Sequence, residues 1–177
     1  SVPVAEDVVI IERGFTVTVT ANAACGSLQV GSPGNSSTGA LSISTNISLA
    51  VSGLTQLGGY GVSSRTGTLT FASGSSLETG SLTIGNANET PAAGIINMTS
   101  GGTLSVDGNI NVITVSGNTW TPGTGTVVIT DNSTLPGTIF TTFNNLTVNT
   151  ASASNTVISP TAFTVNGNLT VTKGNLV

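Results

Sequence analysis

Histidine is missing from this chain altogether, and charge is scarce. There are 3 Lys plus Arg and 7 Asp plus Glu among 177 residues, 6% in all, for a net charge of −4. Without histidine the commonest general base and metal ligand is gone. Three cations cannot build the clustered basic surface that phosphate binding needs, which excludes a nucleic-acid partner. The single cysteine, Cys25, allows no internal disulfide and, with no base to activate it, reads as a small core filler. Aromatic residues make up only 4% of the chain, too few for an aromatic platform. No apolar run approaches the roughly 18 residues of a membrane-spanning helix. Walker, Gly-x-Ser-x-Gly and zinc-ligand spacings do not occur. The stretch "GGTLSVDG" (101–108) has the glycines of a calcium-binding solenoid repeat without their spacing. No catalytic, cofactor-binding or metal-binding set is therefore expected.

What fills the chain instead is Val, Thr and Ile, punctuated every few residues by Gly, Asn and Ser. Such strings read as short strands and turns. No segment of ten or more residues carries an apolar period of 3.6, so an all-β chain is expected.

The strings repeat. "DVVII", "GALSIS", "GTLTFAS", "GIINMTS", "GTVVITD" and "NTVISP" align as units starting near residues 7, 39, 67, 94, 125 and 155. Two positions into each unit stand Val9, Leu41, Leu69, Ile96, Val127 and Val157. Four positions in stand Ile11, Ile43, Phe71, Met98, Ile129 and Ser159. A second alternating string follows in every unit, and a third in most. Three strands per repeat with no helix between repeats predict a single-domain parallel β-helix of about six coils over residues 1–177. The alternative is a β-sandwich, which would not ordinarily repeat near every 30 residues. The alignment predicts that Leu69, Ile96 and Val127 stack in consecutive coils, beside Phe71, Met98 and Ile129.

Candidate chemistry is sparse. Glu78 and Asp107 fall in second strings of consecutive units, at offsets differing by two. A vertical acid pair of the kind polysaccharide-cleaving β-helices use is an alternative to two solvated surface acids. Thr16, Thr18 and Thr20 in "TVTVT" raise an ice-binding alternative, provided that the motif recurs on one face of every coil. Sequons at Asn35, Asn46, Asn88, Asn97, Asn132, Asn145 and Asn168 are candidate glycan acceptors if the chain is exported. The lone Tyr60 and lone Trp120 fall where the spacing expands, which makes them candidate binding residues of lateral loops.

"SVPVAEDVVIIERGFTVTVTANAACGSLQVG" (1–31), "FNNLTVN" (143–149) and "FTVNGNLTVTKGNL" (163–176) resemble repetitive secreted surface proteins of Bacteroidota. These often run as Val-Pro, then D-x-V-x-I, a T-V-T-V strand, an alanine-rich turn with Cys, and S-L-x-V. The resemblance implies a β-solenoid module, export to the cell surface, and a role as an adhesin, stalk or fibre. It implies no catalytic residues. Surface glycans or other cells are the partners such a role would bring.

The final unit, "NTVISPTAFTVNGNLTVTKGNLV", stays apolar to its last residue, and "SVPVAEDVVII" enters the first coil almost at once. Open solenoid ends are complementary, and contact between two different surfaces of one protein propagates without closing. Head-to-tail self-assembly is therefore expected. Val8, Val9, Ile10 and Ile11 would form one side of the interface, and Phe163, Val165, Leu169, Val171 and Leu176 the other. Further coils in a longer polypeptide are the competing expectation.

Overall fold

The structure, a computed structural model, describes residues 3–32, 38–59, 66–87 and 92–177. Among the described residues there is no helix, and every pair of strands is parallel. The chain opens with β1 (Val8–Glu12), β2 (Thr16–Val19), β3 (Ala23–Cys25), β4 (Ser27–Ser32) and β5 (Gly39–Ile43). Next come the long β6 (Ser48–Leu57), β7 (Gly67–Phe71), the long β8 (Ser76–Ile84), β9 (Gly94–Asn97) and β10 (Thr103–Val106). Then follow β11 (Ile110–Val112), β12 (Thr119–Thr121), β13 (Thr126–Ile129), β14 (Ser133–Thr134), β15 (Thr142–Phe143) and β16 (Asn145–Asn149). The last are β17 (Thr156–Ile158), β18 (Thr164–Val165), β19 (Leu169–Lys173) and β20 (Asn175–Leu176).

The fold is a parallel β-helix, and its three faces follow from how these strands pair. On the first face β2, β5, β7, β9 and β12 stack in order. The second face is β3, the leading half of β6, the leading half of β8, β10, β13, β16 and β19. The third face is β1, β4, the trailing halves of β6 and β8, and β11. In chain order β14, β17 and β20 come where a third-face strand is due, and β15 and β18 where a first-face strand is due. They form two small sheets of their own.

Alternation then decides what lies inside. On the second face Ala23, Leu49, Leu77, Leu104, Val127, Leu146 and Leu169 form one inward ladder. Cys25, Val51, Thr79, Val106, Ile129, Val148 and Val171 form the next. On the first face Leu41, Leu69, Ile96 and Trp120 stack, with Ile43 and Phe71 beside them. The residues between are mostly Thr, Ser, Asn and Ala, with Glu78, Ile95 and Val128 among them, and face outward.

The corner between the second and third faces is tight. Gly53 N donates to Gly26 O at 2.8 Å. A Cβ would lie 2.7 Å from Gly26 O if added to Gly53, 2.5 Å from Ser52 O at Gly80, and 2.7 Å from Gly80 O at Gly108. Glycine is needed there for close approach of successive coils. The same corner holds the interior's polar pair. The buried hydroxyls of Thr55 and Thr79 are 2.9 Å apart, and Thr79 Oγ1 also reaches Ser81 O at 2.9 Å. Buried and partnered, they do not carry the cost of an orphaned hydroxyl.

The expected coil starts hold only in part. Units 39, 67 and 94 do stack, through β5, β7 and β9, so Leu69 and Ile96 are neighbours as expected. Val127 is not the next rung: it pairs with Leu104 on the second face, and Trp120 follows Ile96. The unit at 7 pairs with β4 rather than β5, and the unit at 155 is β17, which pairs with β14 and β20. The reason is variable coil length. Register partners lie 28 residues apart at Leu49 and Leu77 but only 19 apart at Val127 and Leu146. A fixed period near 30 therefore slides from one face to another. In these shorter coils Trp120, Phe140, Phe143 and Phe163 fill the interior, with ring centroids 4.7 Å (Trp120–Phe140) to 6.1 Å (Trp120–Phe143) apart.

Two measurements test this packing. Leu104→Ala, fully buried between Leu77 and Val127 in its ladder, should lower unfolding free energy by about 2–5 kcal/mol in urea titrations. Gly80→Ala should cost more than about 1 kcal/mol from backbone collision alone, whereas Ser105→Ala, outward on the same face, should be near neutral. Equal effects of the two would refute the corner geometry.

Candidate functional site

The two end rungs differ from the interior in one respect. Leu146 and Val148 are fully buried, but their register partners on β19, Leu169 and Val171, are 50% and 48% exposed. They hold inward ladder positions, but among the described residues no strand lies beyond β19 to cover them. At the other end Val17, the first member of its inward ladder, is 42% exposed, while its partner Leu41 is buried. The expected interface residues divide. Val9 and Ile11 turn inward, and Ile11 is sealed in the core, so it is not available to a partner. Val8 and Ile10 turn outward on the lateral surface and are well exposed. Phe163, Val165 and Leu176 are partly buried against the core. Phe15, Val17 and Leu54 are exposed apolar residues that the string alignment missed. Above β3 the chain makes its own turn: Val4 N donates to Asp7 Oδ2 and Asp7 N to Val4 O, both at 2.9 Å. Asp7 O in turn accepts from Gly26 N and Ser27 N.

The candidate acid pair lies along one lateral groove, walled by Ala24, Ala50, Ser52 and Gly80. Glu78 and Asp107 both line it, yet they do not oppose each other in the ladder: Glu78 pairs with Ser105. Asp107 Oδ1 accepts from Thr130 Oγ1 at 2.9 Å. The offset of two in sequence is thus an offset of two along the strand, and the vertical pair expected as one alternative does not form. Cys25 lies under the same groove, 2% exposed. Burial chiefly, and the Asp7 carboxylate second, push its thiol pKa above the ordinary 9.0. The thiol is protonated at neutral pH, which makes it a poor nucleophile.

Trp120 is not a loop residue. It stands in β12, its Nε1 donates to Thr142 O at 2.7 Å, and its ring packs on Phe140. The expanded segment around it contains a whole strand of the coil, so the expected lateral loop is instead the next rung of the first face. Tyr60, Asn35 and Asn88 lie outside the described residues.

The other sequons differ in access. Asn46, Asn132 and Asn168 are exposed, and Asn46 adopts φ 58° in its turn. Asn132 Oδ1 accepts from Thr156 N, and Asn145 Oδ1 from Asn168 N, so these side chains bridge successive coils. Asn145 Nδ2, the atom a glycan would occupy, donates to Thr126 Oγ1 at 3.4 Å. Asn97 Oδ1 accepts from the hydroxyl of Thr99 at 2.6 Å, within its own sequon.

One arrangement was not visible in the strings. "GTLTF" and "NTWTP" bring Thr68, Thr70, Thr119 and Thr121 onto the same outer surface as Thr16 and Thr18. The signal was a Thr-x-Thr at each place, hidden because the units had been aligned on different faces.

No protein-family model, curated protein or solved structure matches the chain.

Two outcomes are expected from this arrangement. Cys25 should resist a thiol reagent at pH 8 in the native protein and react on unfolding. Because the unfolded thiol ionises first, stability should fall as pH rises past 9.0. Rapid labelling of native protein would contradict the burial. Trp120→Ala should cost about 3 kcal/mol or more in denaturant titrations, through lost ring packing and an orphaned Thr142 carbonyl. A surface tryptophan would cost almost nothing.

Proposed function

We propose that this chain is a structural and adhesive element of the cell surface, exported, and built to stack rung on rung with copies of itself. The observation that carries the reading is the pair Leu169 and Val171, half exposed at positions whose partners one coil earlier are fully buried. A further rung covering both would add roughly 0.7–1.5 kcal/mol for each side chain, about half the value of full burial because each is already half buried, together with the hydrogen bonds of a new parallel ladder. Val17, on the first face at the opposite end, is a second inward position left exposed at a solenoid end. The two surfaces differ, so their contact is heterologous and extends into a filament. The resemblance of residues 1–31 to secreted Bacteroidota surface repeats supports export. The sparse charge, with Ser, Thr and Asn covering the outer faces, suits an inert rod. The polysaccharide-cleaving alternative has no comparable support, since Glu78 and Asp107 do not face each other.

Sedimentation velocity across a concentration series, with negative-stain microscopy, tests the stacking. Wild-type protein should form rods that lengthen with concentration. The Leu169→Asp/Val171→Asp variant should remain monomeric and folded, because both positions are already half in water. A wild-type chain that stays monomeric at high concentration would defeat the reading. A native subunit whose mass exceeds 17.4 kDa by more than glycans can supply would transfer the covering role to further coils of the same polypeptide.

A further inference from the structure

The outer surface of the first face is a regular array, and nothing in the stacking proposal uses it. Alternate rungs, the first, third and fifth, present Thr16 and Thr18, Thr68 and Thr70, and Thr119 and Thr121. Ala40 and Ser42 fill the second rung, and Ile95 and Asn97 the fourth. Every one of these positions is exposed or half exposed.

Three further observations set this face apart. Its strands run through all five rungs with no break in register, whereas the third face carries a shift after Ile11 and the second after Val148. None of its strands contains a charged residue. Among the described residues the hydroxyls of Thr16, Thr18, Thr68, Thr70 and Thr121 have no side-chain hydrogen bond; only Thr119 is engaged, donating to Gly117 O at 3.1 Å.

In-register parallel strands place these groups on a grid. Alternate residues are about 6.6 Å apart along a strand, and neighbouring rungs about 4.8 Å apart. Each threonine adds a hydroxyl that can bind water and a methyl that borders it, and its branched χ1 is stiff, so the array is held in advance of binding. A neutral, periodic array of this kind complements a neutral, periodic solid of water. It offers nothing to a charged polysaccharide, a nucleic acid or an anionic membrane. We infer that the first face binds ice, with Thr18, Thr70 and Thr121 in one row and Thr16, Thr68 and Thr119 in the other as the contact groups.

The test is ice shaping and thermal hysteresis in a nanolitre osmometer. It is run on wild-type protein and on the Leu169→Asp/Val171→Asp variant, so that a failure of stacking is read separately from a failure of ice binding. Both should facet growing crystals and hold open a gap between melting and growth temperatures. Thr70→Tyr, at the central rung, should abolish the gap while circular dichroism and the melting temperature stay unchanged. Thr103→Tyr, outward on the second face, should leave it intact. Ala40→Thr and Ile95→Thr, which complete the row of Thr16, Thr68 and Thr119, should widen it. The inference is overturned if wild-type protein neither shapes ice nor shows hysteresis. It is equally overturned if Thr103→Tyr and Thr70→Tyr act alike, or if Thr70→Tyr abolishes binding to crystalline cellulose or chitin particles in protein that ignores ice.

Discussion

Parallel strands meeting their counterparts in register is the interaction on which this structure depends. A lone coil of this chain has no partner for most of its backbone N–H and C=O groups and no cover for its inward side chains. Both deficits shrink with each coil laid against it, because each strand finds its equivalent one coil away on either side. The inward ladders follow directly. Leu49, Leu77, Leu104, Val127 and Leu146 pack column-wise because the hydrogen bonds that align their backbones also align their side chains. Stability is therefore cumulative along the axis and smallest at the ends, where β1, β2 and β19 are covered on one side only.

Register places demands on the corners. Coils stack closely only where the chain turns without a side chain in the way, which is the part played by Gly26, Gly53, Gly80 and Gly108. Coil length, by contrast, is free to vary. Turns of 19 and 28 residues coexist because a corner can absorb residues without disturbing the strands on either side. Where the coils shorten, Trp120, Phe140, Phe143 and Phe163 supply bulk, Trp120 tilted against both neighbours, Phe140 stacked on Phe143, and Phe163 edge-on to Phe143.

A solenoid of this kind offers surfaces rather than a cleft. The ends expose interior side chains, and the three lateral faces repeat whatever the outward positions hold. Here the second face carries Glu78 beside the glycine corner, the third carries Val8, Ile10 and Leu54, and the first carries the neutral threonine grid. The proposed stacking through the ends would leave the lateral faces free, so a filament would multiply any lateral binding by avidity without a new contact.

The sequence by itself determined which residues turn inward, because alternation is a local property of a strand and the side-chain period is two. Leu41, Leu69 and Ile96 could be assigned to the core, and a parallel β-helix chosen over a sandwich, from the strings alone. Tertiary structure alone decided which strand lies on which. Strands of all three faces share one alternation, so nothing local distinguishes Val127 on the second face from Trp120 on the first. The same ambiguity hid the threonine grid, separated Glu78 from Asp107, and turned Trp120 from a presumed loop residue into a rung of the core. Stacking is a contact between residues 19 to 28 apart. Its register is set by corner geometry and by which pairing leaves fewest backbone groups and cavities unfilled, and these are sums over the whole coil that no single string contains.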